Sequence, residues 1–239
     1  MTIDGSAGAS YVLTGSLSVP NENTSAIQIT IDGISVDLNG FSIRGITTCG
    51  FIPYAVCAPV GTGNGISGSN NTSVRNGTVI GMGGYGLDLG FDGVTENVRV
   101  LNSGLGGIRL GPGSAARAVT ANGNNGFGVK VDFRGAVYSA ITTNNNLNGI
   151  ELGEGAIVRD SVVHSNGQHG LVCSNDCLAT ANEATGNGGF GFLAPDNCPI
   201  NGTLAYGGNV ISRNAGGIIQ GCSAQLGANV CNGTTAACP

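Results

Sequence analysis

Four charged residues recur in the sequence at a fixed spacing of 21 positions: Asp88, Arg109, Lys130 and Glu151. An arginine and a lysine flanked by two carboxylates could bind an acidic sugar, and Lys130 or Arg109 could abstract a proton next to the sugar carboxylate. The alternative is structural, because alternating charges on an exposed strand neutralise one another for roughly a few tenths of a kcal/mol per pair. The pattern favours the structural role and leaves this column as a candidate site.

A second column with the same spacing comprises Arg75, Glu96, Arg117, Tyr138 and Arg159. Its Arg–Glu–Arg order predicts a salt-bridged ladder, and Tyr138 could stack with the guanidinium planes on either side. The same side chains could instead bind a sulfated or uronic glycan. We favour the structural interpretation here as well.

The other titratable residues do not assemble into a convincing catalytic triad. His169 shares its 21-residue column with three aromatic residues, which favours packing over catalysis. His164 follows Asp160 by four positions, a spacing that does not by itself bring two side chains together on a strand. Glu151 and Glu154 could form an acid pair, but we expect their side chains to point in different directions across a turn.

Metal and cofactor motifs are also weak. The segment Gly83–Asp88 resembles the start of a calcium-binding nonapeptide repeat, but it occurs once, whereas such sites are built from tandem copies. We therefore expect neither a metal site nor a cofactor.

The element that must position these columns is a short repeated strand. Each copy shows glycine, an apolar residue, a variable residue and usually a second apolar residue. The first apolar residues fall 21 positions apart, at Ile66, Leu87, Ile108, Val129, Ile150, Leu171 and Phe192. A further copy is expected at Ile218, after an insertion of five residues. Apolar residues two apart face one side of a strand, and helical periodicity is absent, so the repeat predicts an all-β parallel solenoid.

An asparagine column accompanies the strands at Asn124, Asn145, Asn166 and Asn187. Stacked side-chain amides can hydrogen-bond from coil to coil and cap the backbone of a turn. We expect nearby glycines to supply the positive φ angles of these turns. The column predicts an asparagine ladder.

Several segments, including Ile34–Ile43, Asn76–Val79 and the Asn-Gly copies, resemble bacterial secreted proteins with right-handed parallel β-helix repeats and pectate-lyase-like architecture. The resemblance covers nearly the whole chain. It implies the fold, but that architecture hosts lyases, hydrolases, epimerases, adhesins and proteins without known activity.

The chain is expected to form a single β-helix domain. Residues 1–45 should form N-terminal coils, 46–63 a disulfide-stapled insertion, 64–194 the regular coils, and 195–239 irregular C-terminal coils with a cap.

Eight cysteines suit disulfides in an oxidising compartment, which predicts a secreted or cell-surface protein. The repeat register places Cys177 and Cys198 in one column on adjacent coils, but that pairing would leave Cys173 and Cys222 two coils apart. For these four cysteines we therefore favour Cys173 with Cys177 and Cys198 with Cys222, and the spacings fit no zinc finger or ribbon. The predicted bonds are Cys49–Cys57, Cys173–Cys177, Cys198–Cys222 and Cys231–Cys238.

Composition narrows the possible partners. The net charge is −5 and Lys130 is the only lysine, so no basic patch could neutralise a run of phosphates and nucleic acid is not expected. The sequence contains no run of 18 apolar residues, so we expect no membrane span. The remaining partners are a polysaccharide or other copies of the protein itself.

Together these features favour an exported surface, adhesive or matrix component that binds a glycan or self-assembles, without catalysis. The alternative is a polysaccharide-active enzyme, a lyase or hydrolase of acidic glycans, using the face that carries Asp88, Arg109, Lys130 and Glu151. A freezing-resistance surface would need regular outward Thr-x-Thr rows, which the columns lack.

Overall fold

The computed structural model describes residues 1–51, 53–196, 203–232 and 238. These residues form a parallel β-solenoid of about ten turns, and every strand outside one hairpin pairs in parallel with the strand of the next coil. The predicted all-β parallel β-helix with about 21 residues per coil is therefore confirmed. The described part of the chain contains no helix that could cross a membrane.

Each coil contributes strands to three faces. Face 1 is a ten-stranded sheet of β1 (Thr2–Ile3), β4 (Ile27–Ile29), β9 (Ile66–Gly68), β11 (Tyr85–Leu89), β13 (Gly106–Leu110), β16 (Val129–Val131), β19 (Ile150–Leu152), β22 (Leu171–Cys173), β25 (Phe190–Leu193) and β28 (Gly217–Gln220).

Face 2 follows face 1 along the chain in each coil. It contains β2 (Ser10–Val12), β5 (Ser35–Asp37), the first halves of β10 (Ser73–Ile80) and β12 (Val94–Leu101), β14 (Ala115–Arg117), β17 (Ala136–Tyr138), β20 (Ile157–Arg159), β23 (Leu178–Thr180), β26 (Leu204–Gly207) and β29 (Ser223–Gln225).

Face 3 completes the coil. It contains β3 (Leu17–Ser18), β6 (Ser42–Arg44), the second halves of β10 and β12, β15 (Thr120–Asn122), β18 (Ile141–Thr143), β21 (Val162–His164), β24 (Glu183–Thr185), β27 (Val210–Ser212) and β30 (Val230–Cys231).

The core lies between the three faces. All seven predicted anchor residues of face 1 are fully buried, and neighbouring anchors such as Leu87 and Ile108 are register partners. Replacing such a residue with alanine costs about 2–5 kcal/mol of stability, because the core relaxes only partly around the cavity. The expected copy at Ile218 is wrong by one residue, since Phe192 pairs with Ile219. The irregular coil therefore contains six extra residues rather than five.

Each corner between faces is turned by one residue in the left-handed region. Three corner columns have φ between 48° and 72° over the regular coils. Their members are Asn71, Asp92, Gly113, Arg134, Gly155 and Asp176 at corner 1; Asn76, Asn97, Ala118, Ser139, Asp160 and Ala181 at corner 2; and Gly81, Asn102, Gly123, Asn144, Ser165, Gly186 and Arg213 at corner 3. Glycine and asparagine, which both tolerate this conformation, occur equally often in these columns. Next to the asparagine ladder, Gly123 and Gly186 supply the positive φ as expected, whereas Asn144 and Ser165 do so before Asn145 and Asn166.

The asparagine ladder is confirmed, and it is buried. The Asn124 side-chain amide donates to Asn145 Oδ1 at 2.9 Å, and the contact repeats from Asn145 to Asn166 and onward to Asn187. It continues to Asn214 at 2.9 Å, across the irregular coil.

A second ladder joins corner 2 to face 3. Its members are Ser161, Asn182, Asn209 and Asn229, linked by hydrogen bonds of 2.9–3.1 Å. The irregular coil sets its steps at 27 and 20 residues, which hid it from a search at a fixed spacing.

One hairpin leaves the solenoid. Strands β7 (Thr48–Phe51) and β8 (Ala55–Ala58) pair antiparallel and are joined by the Cys49–Cys57 disulfide. We call Thr48–Ala58 the strap, because it lies along corner 3 across several coils. The Cys57 amide donates to Asn125 Oδ1 at 3.3 Å, and Tyr54 lies so close to Gly167 and Gly188 that a Cβ atom there would come within 3.1 and 2.7 Å of its ring and hydroxyl.

Candidate functional site

The outer surface of face 1 carries the predicted charge column in register. Asp88 is the strand partner of Arg109, and the guanidinium donates two hydrogen bonds of 2.7 Å to the two carboxylate oxygens. This bidentate pairing raises the pKa of Arg109, chiefly through the hydrogen bonds to Asp88. Arg109 is therefore a permanent cation and not a base.

The next two members form a second ion pair. Lys130 pairs in register with Glu151, and its Nζ lies 3.1 Å from Glu151 Oε2. The other carboxylate oxygen, Oε1, accepts a 2.9 Å hydrogen bond from the Asn148 side chain. The column thus divides into two neutral pairs, Asp88–Arg109 and Lys130–Glu151.

Two aromatic rings lie beside the cations. Tyr85 and Phe127 stack with centroids 5.7 Å apart, although they stand two coils apart, because Gly106 occupies the coil between them. A Cβ at Gly106 would lie 3.2 Å from both rings. The Arg109 guanidinium lies 4.5 Å over the Tyr85 ring and the Lys130 ammonium 5.8 Å from the Phe127 centroid.

These groups line a shallow cleft of about 340 Å³ on face 1. Asp132, in the turn after β16, joins Asp88, Arg109 and Lys130 at its wall, with Tyr85 and Phe127 as its apolar part. We call this the face 1 cleft. The sequence does not single out Asp132, Tyr85 or Phe127 as site residues, since its aromatic column indicates packing.

The second predicted column lies on the outer surface of face 2. Arg75 bonds Asp37 on the preceding coil at 2.9 Å, and Glu96 forms no ion pair with any residue the structure describes. The predicted Arg–Glu–Arg ladder is therefore wrong: Arg75 pairs with Asp37, and the Arg117 guanidinium lies over the Tyr138 ring. A hydrogen bond from the Asn39 amide, with further ones from Asn76 and Arg75, lowers the pKa of Asp37.

Tyr138 stands between two arginines, as its position in the sequence suggested. The guanidinium of Arg159 lies 4.6 Å and that of Arg117 5.5 Å from its ring centroid. Arg159 also approaches Asp160 at 3.9 Å on the exposed surface. This column lies on face 2, away from the cleft of face 1.

The two histidines lie on different faces. His169 stacks on Phe190 with centroids 5.8 Å apart, and its Nδ1 accepts a 3.0 Å hydrogen bond from the Phe190 amide. Burial lowers its pKa. His164 is exposed on face 3 and contacts Thr185 and Ser165.

Disulfides join Cys49 to Cys57, Cys173 to Cys177, and Cys231 to Cys238. The predicted Cys198–Cys222 bond falls on Cys198, which lies outside the described residues. Within the described ranges, no three His, Cys, Asp or Glu side chains cluster closely enough to hold a metal ion.

The fold has counterparts among solved structures. A crystal structure of the periplasmic alginate epimerase AlgG matches 86% of this chain and 60% of its own, with a TM-score of 0.52 and 16% identity. A double mutant of that enzyme matches 94% of this chain and 70% of its own, with a TM-score of 0.60 and 15% identity.

A third match is the Dettilon tailspike protein, with a TM-score of 0.53, 15% identity, and coverage of 86% of this chain and 43% of its own. The chain thus spans less than two thirds of the first epimerase structure and under half of the tailspike. Identities this low show a shared fold alone. No protein-family model matches the chain, and a search of curated proteins gives no match.

Proposed function

We propose that the protein is an exported β-helix that binds a glycan in the face 1 cleft without catalysis there. One observation carries the proposal: both cations of the predicted site are held by carboxylates of the same column, beside an aromatic pair. Such a surface offers fixed hydrogen-bonding groups, and neither cation is free to act as a base.

The contents of the cleft suit a sugar. A pyranose presents apolar C–H patches that pack on aromatic rings, and hydroxyls that bond to carboxylates and guanidinium groups. Tyr85 and Phe127 offer the first surface, while Asp88 and Arg109 offer the second. A site with an apolar wall and a few fixed polar groups is the usual composition of a small-molecule or sugar pocket.

The charge balance favours a neutral glycan over a polyuronate. Arg109 and Lys130 are opposed in the cleft wall by Asp88 and Asp132, so the formal charges cancel. The whole chain is acidic, with a net charge of −5, and so provides no long-range attraction for an anionic polymer. Hydroxyl recognition does not need a net positive field.

The same pairing argues against the enzymatic alternative on this face. A general base must be deprotonated near its working pH. Arg109 stays protonated because its bidentate bond to Asp88 raises its pKa, and Lys130 Nζ is held 3.1 Å from Glu151 Oε2, away from a bound sugar. Neither is poised to abstract a proton from a sugar.

An extracellular or periplasmic location agrees with the three described disulfides, because such bonds persist in oxidising compartments. The structural counterparts include a periplasmic alginate epimerase, which fits such a location. An exported protein that binds a glycan without modifying it would suit a surface, adhesive or matrix role.

The test is calorimetric titration of the purified protein with neutral and acidic oligosaccharides, with proton NMR of the same mixtures. We expect saturable binding that is stronger for a neutral glycan, lost in Tyr85→Ala, and retained in Tyr138→Ala, the matched aromatic control on face 2. New signals from an unsaturated uronate, an inverted sugar centre or a new reducing end, abolished by Lys130→Ala, would establish the enzymatic alternative instead.

A further inference from the structure

Face 3 brings together a serine, a histidine, a threonine and a carboxylate that the sequence does not place in any motif. His164 ends β21, and its strand partner on the next coil is Thr185 at the end of β24. Glu183 lies two residues before Thr185 and therefore on the same outward side of the strand. Ser165 follows His164 at corner 3, with φ of 53°.

Hydrogen bonds connect the four side chains in one line, which we call the Ser165 relay. Ser165 Oγ lies 3.1 Å from His164 Nε2. His164 Nδ1 lies 2.9 Å from the Thr185 carbonyl oxygen and 3.1 Å from Thr185 Oγ1. The Thr185 hydroxyl in turn donates to Glu183 Oε1 at 3.2 Å.

The partners of Nδ1 determine the tautomer of the neutral imidazole. A backbone carbonyl only accepts hydrogen bonds, so Nδ1 carries the proton and donates it to Thr185. Nε2 is then an acceptor, and the Ser165 hydroxyl donates to it. This is the protonation pattern in which a histidine activates a serine nucleophile.

The next coil leaves space above the pair. Gly186 stands 21 residues after Ser165 in the same corner column, and a Cβ there would lie 3.1 Å from His164 Cε1 and 3.7 Å from Ser165 Oγ. The small residue therefore avoids crowding the pair. Arg213 follows in the same column after the irregular coil.

A cleft of about 470 Å³ adjoins the relay. His164, Glu183, Thr185 and Gly186 form part of its lining, and Ser165 lies beside it, next to His164. Val162 and Val210 give it an apolar side that suits a short hydrocarbon chain, and Arg213 adds a cation to its lining. An apolar pocket with one nearby cation suits an acyl group whose carbonyl oxygen becomes negative during reaction.

We propose that Ser165 is the nucleophile of a second, hydrolytic site that acts on esters of short carboxylic acids. The Ser165 oxygen bonds to the ester carbonyl carbon while its proton passes to His164 Nε2. The ester C–O bond then breaks, and the leaving alcohol takes the proton from His164. Water, deprotonated by His164, attacks the acyl-serine, releases the carboxylic acid and restores the serine.

Within this site Thr185 and Glu183 are positioning residues. They hold the imidazole through Nδ1 and stabilise the cation that forms when Nε2 takes up the proton. The site is separate from the face 1 cleft, so either proposal can fail without the other.

The first experiment is covalent trapping with a fluorophosphonate, followed by peptide mass spectrometry. We expect one adduct on Ser165 in the wild-type protein and none in Ser165→Asn, a replacement that corner 3 already accepts at Asn144. His164→Asn should slow adduct formation by roughly 100-fold, since a positioned base contributes about that factor or more. Ser139→Asn, at a corner 2 serine with φ of 52°, is the control and should label like wild type.

The second experiment measures hydrolysis of p-nitrophenyl acetate. Thr185→Val should lower kcat and leave KM unchanged, with the same thermal unfolding midpoint as wild type, which a purely structural role would not give. The proposal is overturned if Ser165 is not modified, if His164→Asn labels at the wild-type rate, or if Ser165→Asn hydrolyses the ester as fast as wild type.

Discussion

Two columns of the solenoid share one period and differ in almost everything else. The inner asparagine ladder runs through Asn124, Asn145, Asn166 and Asn187, and all four side chains are buried. The outer column runs through Asp88, Arg109, Lys130 and Glu151, and the side chains of its two cations are 46% and 44% exposed. Both were visible in the sequence for the same reason, a spacing of 21.

The difference between the columns is energetic. Each ladder amide replaces water with fixed partners: Asn145 Oδ1 accepts from the Asn124 backbone and side chain, and its Nδ2 donates to Asn166 and to the Ala121 carbonyl. The outer ion pairs keep much of their water, so their attraction is screened. Residues that recur every 21 positions inside the coil therefore stabilise the fold, whereas those that recur on its outer surface contribute little stability and can serve binding.

The largest expected effect is on the inner column. Asn145→Ala removes the side-chain amide, both its oxygen and its nitrogen. Its buried hydrogen-bond partners on Asn124, Asn166 and Ala121 then have no partner in its place. We expect a loss of about 3 kcal/mol in the free energy of unfolding, since each orphaned buried group costs roughly 1–3 kcal/mol. Urea unfolding followed by circular dichroism measures it.

The matched control is the adjacent Asn146→Ala, because Asn146 is only half-buried and its described contacts are through the backbone. We expect almost no change in its unfolding midpoint. Equal losses in the two variants would show that the ladder has no special energetic role.

The next effect concerns binding rather than stability. Arg109→Ala removes a hydrogen-bonding group from the face 1 cleft and leaves Asp88 exposed to water. We expect glycan affinity to fall about tenfold, equivalent to roughly 1.4 kcal/mol, with little change in the unfolding midpoint. Arg117→Ala on face 2 is the control and should retain wild-type affinity. If Arg109→Ala lost as much stability as Asn145→Ala, the two columns would not differ in energetic role.

A smaller effect is the coupling within the outer pair. A double-mutant cycle with Asp88→Asn and Arg109→Gln should give an interaction free energy of about 0.2–1 kcal/mol, decreasing with added salt. Urea titrations at low and high ionic strength measure both quantities. A coupling free energy well above this range that does not change with salt would show that this ion pair stabilises the fold as strongly as the buried ladder does.

The smallest effect involves His169, which is partly buried and so is intermediate between the buried ladder and the exposed charge column. Its pKa is lowered by burial from an ordinary value of 6.5, so the unfolded chain binds a proton more readily than the folded one. The stability contributed by the neutral imidazole is present above pH 6.5 and is lost as the pH falls toward the folded-state pKa.

His169→Asn should reduce this acid sensitivity. Asn148 Oδ1 already accepts the equivalent amide hydrogen bond from His169, so asparagine can replace the histidine in its contact with Phe190. Unfolding midpoints measured from neutral to mildly acidic pH would reveal the change, and an unaltered pH dependence would assign it to other groups.

The extent of sequence-based prediction follows from what the repeat unit encodes. Fixed spacing identified the strands, the buried anchors and the first ladder, because these depend on residues stacked directly above one another. It placed Ile218 one position off and missed the Asn182–Asn209 ladder, because both cross the irregular coil, where the spacing becomes 27.

The sites themselves were less accessible from spacing. Asp88, Arg109, Lys130 and Glu151 were found together, but which partner each cation takes depends on side-chain conformation. Asp37 captured Arg75 from outside the predicted column. The Ser165 relay combines a contact along the chain, from Ser165 to His164, with a contact across coils, from His164 to Thr185. A search along one 21-residue column does not detect that combination.

The strap changes how the solenoid should come apart. A repeat protein in which each coil contacts only its neighbours can lose coils one at a time from an end. The strap leaves the coil of Arg44, Thr47 N–H donates to the Gly81 carbonyl on the next coil, and Tyr54 reaches Gly188, more than 100 residues after Gly81. Opening one of these coils disturbs a strap that also contacts other coils, so this part of the molecule should resist gradual unwinding and melt as one cooperative block.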